Sequence, residues 1–270
     1  MDFLGYKNKR VIVSGCFSGM GEATARLLVE LGAEVHGLDF KEAALDLASF
    51  TQVDLRDPAT IDAAVAGIGG KVDALFNCAG LPQTAPPMDV MKVNYIGTRH
   101  LTEQVLPLMS EGGAVVSISS TGGMGWSRRL AQVTELVEIE GFDNILKWCE
   151  DNAETVAEGY SLSKEAIIVW TMLASSKLIK QGVRINCTLP APTQTPMMSE
   201  FESATSAEVL ETFTQPIGRR ATPAEQAGPL VCLNSDATGF VNGVVLPVDG
   251  GFMGAVTTGQ ADLSALMPPG

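Results

Sequence analysis

The chain has 270 residues, 46% apolar and 18% charged, which suits one α/β domain with a large core, or two smaller ones, and argues against a disordered polypeptide. Eighteen basic against 31 acidic side chains leave a net charge of −13, with no basic run longer than a pair such as Arg128-Arg129; phosphate backbones need clustered cations, so a nucleic-acid partner is disfavoured. Five scattered cysteines without a CxxC pair, no apolar leader and no uninterrupted apolar run of bilayer length point to reduced thiols and a cytoplasmic protein with no membrane insertion.

From Arg10 onward, short β-rich apolar runs alternate with helical patterns. Strands are predicted near Val11–Ser14, Glu34–Leu38, Thr51–Val53, Ala74–Phe76, Ala114–Ile118, Val183–Cys187 and Val244–Val248, and helices at about Gly19–Leu31, Pro58–Ala66, Val90–Met109, Gly159–Lys180 and Pro223–Asn234. Right-handed crossovers turn that order into an α/β fold: a single Rossmann-type doubly wound parallel sheet of about seven strands, its ligand crevice at the strands' carboxyl ends. One irregularity is the acidic amphipathic stretch 125–158, which carries Trp126, Leu130, Leu136, Phe142, Ile145 and Trp148 at helical spacing and a break at Gly141; it reads as a helical insertion. Residues 1–253 are expected to form one domain, and 254–270 a loosely ordered C-terminal tail.

The first strand runs into Gly15-Cys16-Phe17-Ser18-Gly19-Met20-Gly21, where a helix begins. A glycine turn there lets backbone N–H groups and a helix dipole approach a pyrophosphate, although the spacing G-x-x-x-G-x-G also suits a plain tight turn. Asp39 closes the second strand, eighteen residues after Gly21. A carboxylate at that place accepts both hydroxyls of an adenosine ribose and repels a 2′-phosphate, which favours NAD over NADP; a strand-end cap is its other use. Asp54, at the end of the third strand, could hold an adenine amino group or cap a turn. After the fourth strand, Asn77-Cys78-Ala79-Gly80 is small enough to pass close beneath a cofactor.

Tyr160-Ser161-Leu162-Ser163-Lys164 places a phenol and an ammonium four residues apart, on one face of a helix. A phenol with its ordinary pKa of about 10 is a poor base at neutral pH, whereas a desolvated Lys164 and a positively charged nicotinamide could jointly lower that value by roughly 2 to 3 units. Tyr160 could then exchange a proton with a substrate oxygen. His36 and His100 lack ligand spacing, so no metal is expected.

In this order the motifs resemble the short-chain dehydrogenase/reductase family over Lys9 to Phe252, with Val93-Asn94, Ser119-Ser120, Arg184-Ile185-Asn186 and Val248-Asp249-Gly250-Gly251 in their places. The resemblance implies an NAD-dependent oxidoreductase that interconverts a secondary alcohol and its ketone. It implies a catalytic set of Asn94, Ser120, Tyr160 and Lys164: Asn94 kinks its helix and holds a water linked to Lys164, and Ser120, in preference to Ser119, binds the substrate oxygen. NAD contacts are expected at Gly15, Ser18, Gly19, Met20 and Gly21; at Asp39, Asp54 and Leu55; at Asn77, Ala79 and Gly80; and at Tyr160, Lys164, Pro190, Thr193 and Thr195. Ala191 stands where the family's turn has glycine.

Ser120 and Tyr160 lie forty residues apart, farther than in most relatives, and with the insertion this resembles the bacterial 3α-hydroxysteroid dehydrogenase/carbonyl reductase branch. That implies a homodimer through an unusual face or an altered homotetramer; alternatively the inserted helices only lid the sheet. Pro196, Met197, Met198, Phe201, Val209, Leu210 and Phe213 form an apolar segment suited either to covering a small hydrophobic alcohol or ketone or to ordinary core packing. A hydroxysteroid-like substrate is the first expectation, an aromatic or terpene alcohol the second. A catalytically silent NAD-binding sensor or scaffold is the reading from another class.

Overall fold

The computed structural model describes residues 2–266. Its strands are β1 (Arg10–Ser14), β2 (Glu34–Asp39), β3 (Ser49–Gln52), β4 (Val72–Asn77), β5 (Met109–Ile118), β6 (Arg184–Pro190) and β7 (Val245–Val248). They form one sheet in the order β3-β2-β1-β4-β5-β6-β7, every pairing parallel. The winding direction reverses between β1 and β4, and a crevice opens at the carboxyl ends of those strands.

Period-two alternation along each strand feeds two cores. Val11 and Val13 of β1, with Ala74, Phe76 and Val116, pack against Ala25 and Leu28 of α1 (Gly19–Glu30) and against Leu230 and Val231 of the helix Pro223–Leu233. Ile12, Leu75, Val115 and Ile185 point to the opposite face, covered by α2 (Pro58–Ile68), α3 (Pro87–Met91), α4 (Thr98–Val105) and the long helix Gly159–Leu178. The helix boundaries follow local chemistry. Asp57 caps α2 by accepting the Ala59 N–H at 2.9 Å, with Pro58 in the first turn.

The helix expected over Val90–Met109 is not continuous. α3 passes into a π-helical segment, Lys92–Gly97, before α4 begins; a 3-10 turn follows at Leu106–Leu108, and Met109 already belongs to β5. Proline at 107 has no N–H to continue the ladder. Within the wide turn the Thr98 hydroxyl donates to the Val93 carbonyl at 3.0 Å, and Gly97 lets the segment pass the neighbouring chain, since a Cβ there would sit 2.0 Å from the Leu55 carbonyl oxygen. β5 thus starts five residues before the expected Ala114.

The stretch after Ser120 forms a 3-10 coil, Thr121–Arg129, then α5 (Leu130–Glu138), α6 (Phe142–Asp151) and α7 (Ala153–Val156), ahead of α8 (Gly159–Leu178). Leu136, Val137, Phe142, Ile145 and Trp148 join Tyr95 and Trp170 in the larger core, and Arg99 on α4 donates to the Val137 carbonyl at 2.9 Å. In the single chain the inserted helices therefore cover α4 and α8. Farther on lie α9 (Met198–Ala204), α10 (Ala207–Thr212), α11 (Pro223–Leu233) and α12 (Phe252–Thr257). α12 and a 3-10 turn at Ser264–Leu266 show that the stretch expected to be a loose tail begins with regular structure, because Phe252 and Ala255 are buried; its last four residues lie outside those described. Among the described residues no helix is long and apolar enough to cross a membrane.

Candidate active site

The glycines after β1 are required by contact. A Cβ on Gly15 would lie 2.5 Å from the Ala79 nitrogen, and one on Gly21 only 2.0 Å from the Gly15 carbonyl oxygen; Gly15 and Gly19 also have φ of +76° and +63°. Ser18, at the N-cap of α1, makes no side-chain cap hydrogen bond, so its hydroxyl and the first-turn N–H groups of a twelve-residue helix are free for an anion. Asp39 is oriented by two backbone donors, Phe17 N–H at 2.9 Å and Lys41 N–H at 3.0 Å. Gly15, Ser18, Asp39, Asp54, Leu55, Ala79 and Gly80 line one cavity of about 510 Å³. Its shape and donors suit the adenosine and pyrophosphate of a dinucleotide.

Two expected contacts differ from the sequence reading. Asn77 is 2% exposed and lines neither cavity of the crevice; its amide donates to Thr102 Oγ1 at 2.9 Å and Ser117 Oγ at 3.1 Å, bracing β4 against β5 and α4. Any cofactor contact there falls to backbone, because alternation turns the side chain inward. Asp54 lines the crevice, but Arg56 surrounds its carboxylate, donating from Nε at 2.9 Å and Nη2 at 2.7 Å and holding its pKa below the usual carboxylate range. Gly19 and Gly21 act through the path of the turn and also line neither cavity.

A second cavity of about 300 Å³ adjoins the first and shares Cys78, Ala79, Gly80, Leu81 and Met197 with it. Met20, Ser120, Tyr160, Lys164, Pro190, Thr193 and Thr195 line it. Ser120 lies two residues past the end of β5, at the N-cap of the 3-10 coil, and its Oγ accepts the Gly122 N–H at 3.0 Å. Ser119 also borders the cavity, but its hydroxyl is taken up in donating to the Lys164 carbonyl at 2.8 Å. Of the two serines, Ser120 is the one beside the phenol, where hydrogen bonding favours the phenolate.

Lys164 is 5% exposed, with Nζ 5.7 Å from the Tyr160 ring centre, and it donates to the Ile118 carbonyl at 3.0 Å. Burial pulls its pKa down to about 8, so at neutral pH it is still mostly a cation. In the protein alone Tyr160 is not acidified. Burial raises the phenol pKa, Ser120 opposes that shift, and the ammonium is engaged by the Ile118 carbonyl. Asn94 sits in the π segment: its Oδ1 accepts the Leu81 N–H at 2.6 Å and its Nδ2 donates to the Leu81 carbonyl at 3.0 Å. A Cβ on Gly80 would meet Asn94 Oδ1 at 3.4 Å and Lys164 Nζ at 3.8 Å, so Gly80 borders both the amide and the ammonium.

The outer wall is Met197, Met198, Phe201, Val209, Leu210 and Phe213, with the Phe201 ring edge-to-face on Tyr160 at 5.2 Å. Among the described residues, Lys164 is the one charged side chain lining this cavity. Arg129 and Arg219 line neither cavity and are paired with Glu158 and Glu165 and with Glu225. Sequence reasoning missed Gln83, whose Nε2 donates to Thr205 Oγ1 at 2.7 Å across the cavity mouth; no spacing announces a contact over 122 residues.

Comparison with known proteins gives matches over nearly the whole chain. The short chain dehydrogenase profile matches residues 9–131, and one described as enoyl-(acyl carrier protein) reductase matches 148–253. The coniferyl-alcohol dehydrogenase of Pseudomonas sp. (strain HR199) is 37% identical, over 90% of this chain and 96% of its own. The 3-alpha-hydroxysteroid dehydrogenase/carbonyl reductase of Comamonas testosteroni is 30% identical, over 89% and 95%. Among solved structures, the 3-alpha-hydroxysteroid dehydrogenase of Pseudomonas sp. B-0831 complexed with NADH superposes with a TM-score of 0.77 at 28% identity, covering 94% of this chain and all of that one.

Proposed function

The chain belongs to the short-chain dehydrogenase family and is an oxidoreductase of alcohols and carbonyls, and from that premise we propose that it uses NAD to interconvert a compact, uncharged, hydrophobic alcohol and its carbonyl product. The observation that carries this is the meeting of Tyr160, Ser120 and Lys164 on one cavity wall that has no other charge among the described residues. Family members bind NAD(P); Asp39, held by two backbone donors, supports NAD, since a 2′-phosphate there would face a carboxylate.

When bound, the nicotinamide ring accepts or returns the hydride. The protein does the rest. Ser120 donates a hydrogen bond to the substrate oxygen, Tyr160 takes or gives that oxygen's proton, and Lys164 stabilises the phenolate and holds the nicotinamide ribose. Asn94 keeps the loop after Gly80 in place and, with a water, carries the proton away from Lys164. A raised phenol pKa in the protein alone means that catalytic ionisation depends on the added positive charge of the loaded site.

Size favours a single-ring substrate. About 300 Å³ lies at the low end for ligand pockets and has to accommodate the nicotinamide as well. The likeness to a coniferyl-alcohol dehydrogenase supports an aromatic or allylic alcohol. A hydroxysteroid is the second reading, favoured by the hydroxysteroid dehydrogenase that superposes over 94% of the chain. The protein is further read as one cytoplasmic catalytic domain through residue 253, assembling as a homodimer or homotetramer through a face other than the covered α4 and α8.

The test is NADH production with coniferyl and cinnamyl alcohols against 3α-hydroxysteroids, using NAD and NADP. Turnover should be higher on the single-ring alcohols and with NAD. Tyr160→Phe should cut kcat by about 10²- to 10⁴-fold while NADH affinity stays within about twofold. A Tyr160→Phe variant that keeps most of its activity overturns the assignment, and Asp39→Ser should narrow the NAD preference about tenfold.

A further inference from the structure

Arg129, at the end of the 3-10 coil that leaves Ser120, lines neither cavity of the crevice, yet it holds both ends of the turn that carries Tyr160 and Lys164. Its Nη1 donates to Glu158 Oε2 at 2.7 Å; its Nη2 and Nε donate to Glu165 Oε2 at 2.7 and 3.0 Å. Glu158 stands two residues before Tyr160, and Glu165 directly follows Lys164. One guanidinium therefore spans the catalytic turn from outside.

Between Ser120 and Arg129 the coil lies directly against that turn. A Cβ on Gly122 would be 3.2 Å from Tyr160 Cε1, one on Gly123 3.0 Å from the Lys164 carbonyl carbon, and one on Gly125 2.9 Å from Glu165 Oε1. Three glycines thus align with Tyr160, Lys164 and Glu165 in turn. Glycines permit this approach but cannot hold it, because they supply no side chain. The Ser119–Lys164 hydrogen bond holds the near end, and the ion pair supplies the hold at the far end.

The Glu165 side chain is 4% exposed, and Leu162, Ala166 and Ile168 beside it on the helix are buried and apolar. A buried ion pair adds little stability over an apolar pair of the same volume, whereas hydrogen-bond direction is something an apolar pair lacks. We propose that Arg129 is a positioning residue: by gripping Glu158 and Glu165 it seats the Tyr160–Lys164 turn against the Ser120 loop and sets phenol and hydroxyl at reacting distance. This rests on the dehydrogenase reading above and gives the insertion, which Arg129 introduces, a part in the reaction.

Three variants test it: Arg129→Lys, Arg129→Met, and Arg129→Met combined with Glu165→Leu. Arg129→Met strands a buried carboxylate and can fail to fold; the double variant replaces both partners with apolar groups and keeps the helix packed. With coniferyl alcohol and NAD, the double variant should keep its Tm within a few degrees of wild type while kcat falls about 10- to 100-fold, the size expected of a misplacement near 1 Å. NADH affinity should stay within about threefold, and the primary deuterium isotope effect on kcat should rise as hydride transfer becomes limiting. Arg129→Lys should fall between. In the unliganded protein, amide hydrogen exchange over residues 159–166 should be faster in the double variant and unchanged elsewhere.

A double variant with wild-type kcat and isotope effect would overturn the proposal and leave the pair a packing feature. Unchanged exchange over 159–166 would also overturn it. A wild-type protein that turns over no alcohol would instead defeat the dehydrogenase reading, and the exchange measurement would still decide on the grip.

Discussion

The two halves of the crevice are held in shape by different means. In the dinucleotide half backbone touches backbone: Gly15 lies against Ala79, Gly21 against the Gly15 carbonyl, and Asp39 is fixed by two main-chain N–H groups. In the substrate half α9 and α10 are short, and side chains tie them down: Gln83 to Thr205, Thr84 to Glu200 at 3.0 Å, and Arg220 to Glu202 at 2.5 Å. The first half is a property of the chain's path, so one atom too many disrupts it. The second is set by interchangeable side chains and can change its substrate while the fold stays as it is.

The comparison breaks most sharply at Gly21. Gly21→Ala places a methyl 2.0 Å from the Gly15 carbonyl oxygen, and forcing the turn open should weaken NADH binding by about 100-fold, close to the ~3 kcal/mol of overpacking strain. Fluorescence titration with NADH reads the loss; an unchanged affinity would mean that the turn is not where the phosphates sit.

Lys164 stands where the halves meet, and its pKa of about 8 makes its contribution pH-dependent. Because this lysine is depressed below the 10.5 of the unfolded chain, its burial penalises the fold fully below pH 8, and the penalty disappears as pH rises toward 10.5. Lys164→Met should therefore gain stability over wild type at pH 7, on the order of a few kcal/mol, with the gap closing by pH 10.5. Urea unfolding at several pH values checks this; a gap that does not vary with pH would show that the ammonium is not what burial disfavours. The same variant should be inactive.

The smallest effect belongs to the straps. Gln83→Ala removes one neutral hydrogen bond, about 1 kcal/mol, and should change the alcohol KM up to about fivefold while NADH affinity stays unchanged. A loss of NADH affinity equal to the change in KM would join the two halves into one unit.

The halves also differ in how far sequence reveals them. The glycine turn, Asp39 and the Tyr160–Lys164 pair stand at local spacings, and the structure brings Ser120, Tyr160 and Lys164 to one cavity wall. The helix expected over Val90–Met109 failed as one element, because a π turn inserts at Asn94 and Pro107 ends the run. A cofactor contact is expected at Asn77, but its side chain bonds Thr102 and Ser117 instead, since its strand carries the alternation one residue farther than the expected end at Phe76. The Asp54–Arg56 pair lies two residues apart and was within reach of sequence reasoning; the Arg129 grip, spanning 29 and 36 residues, was not.

Sequence by itself determined the order of strands and helices, the turn that needs glycine, and a phenol one helical turn from an ammonium, because periodicity and steric demand act over a few residues. Only the tertiary structure decided that Tyr160 is harder to ionise in the protein alone, that Lys164 is brought near pH 8, and which carboxylates surround Arg129. Desolvation and ion pairing depend on groups brought together from distant parts of the chain, and no local pattern encodes them.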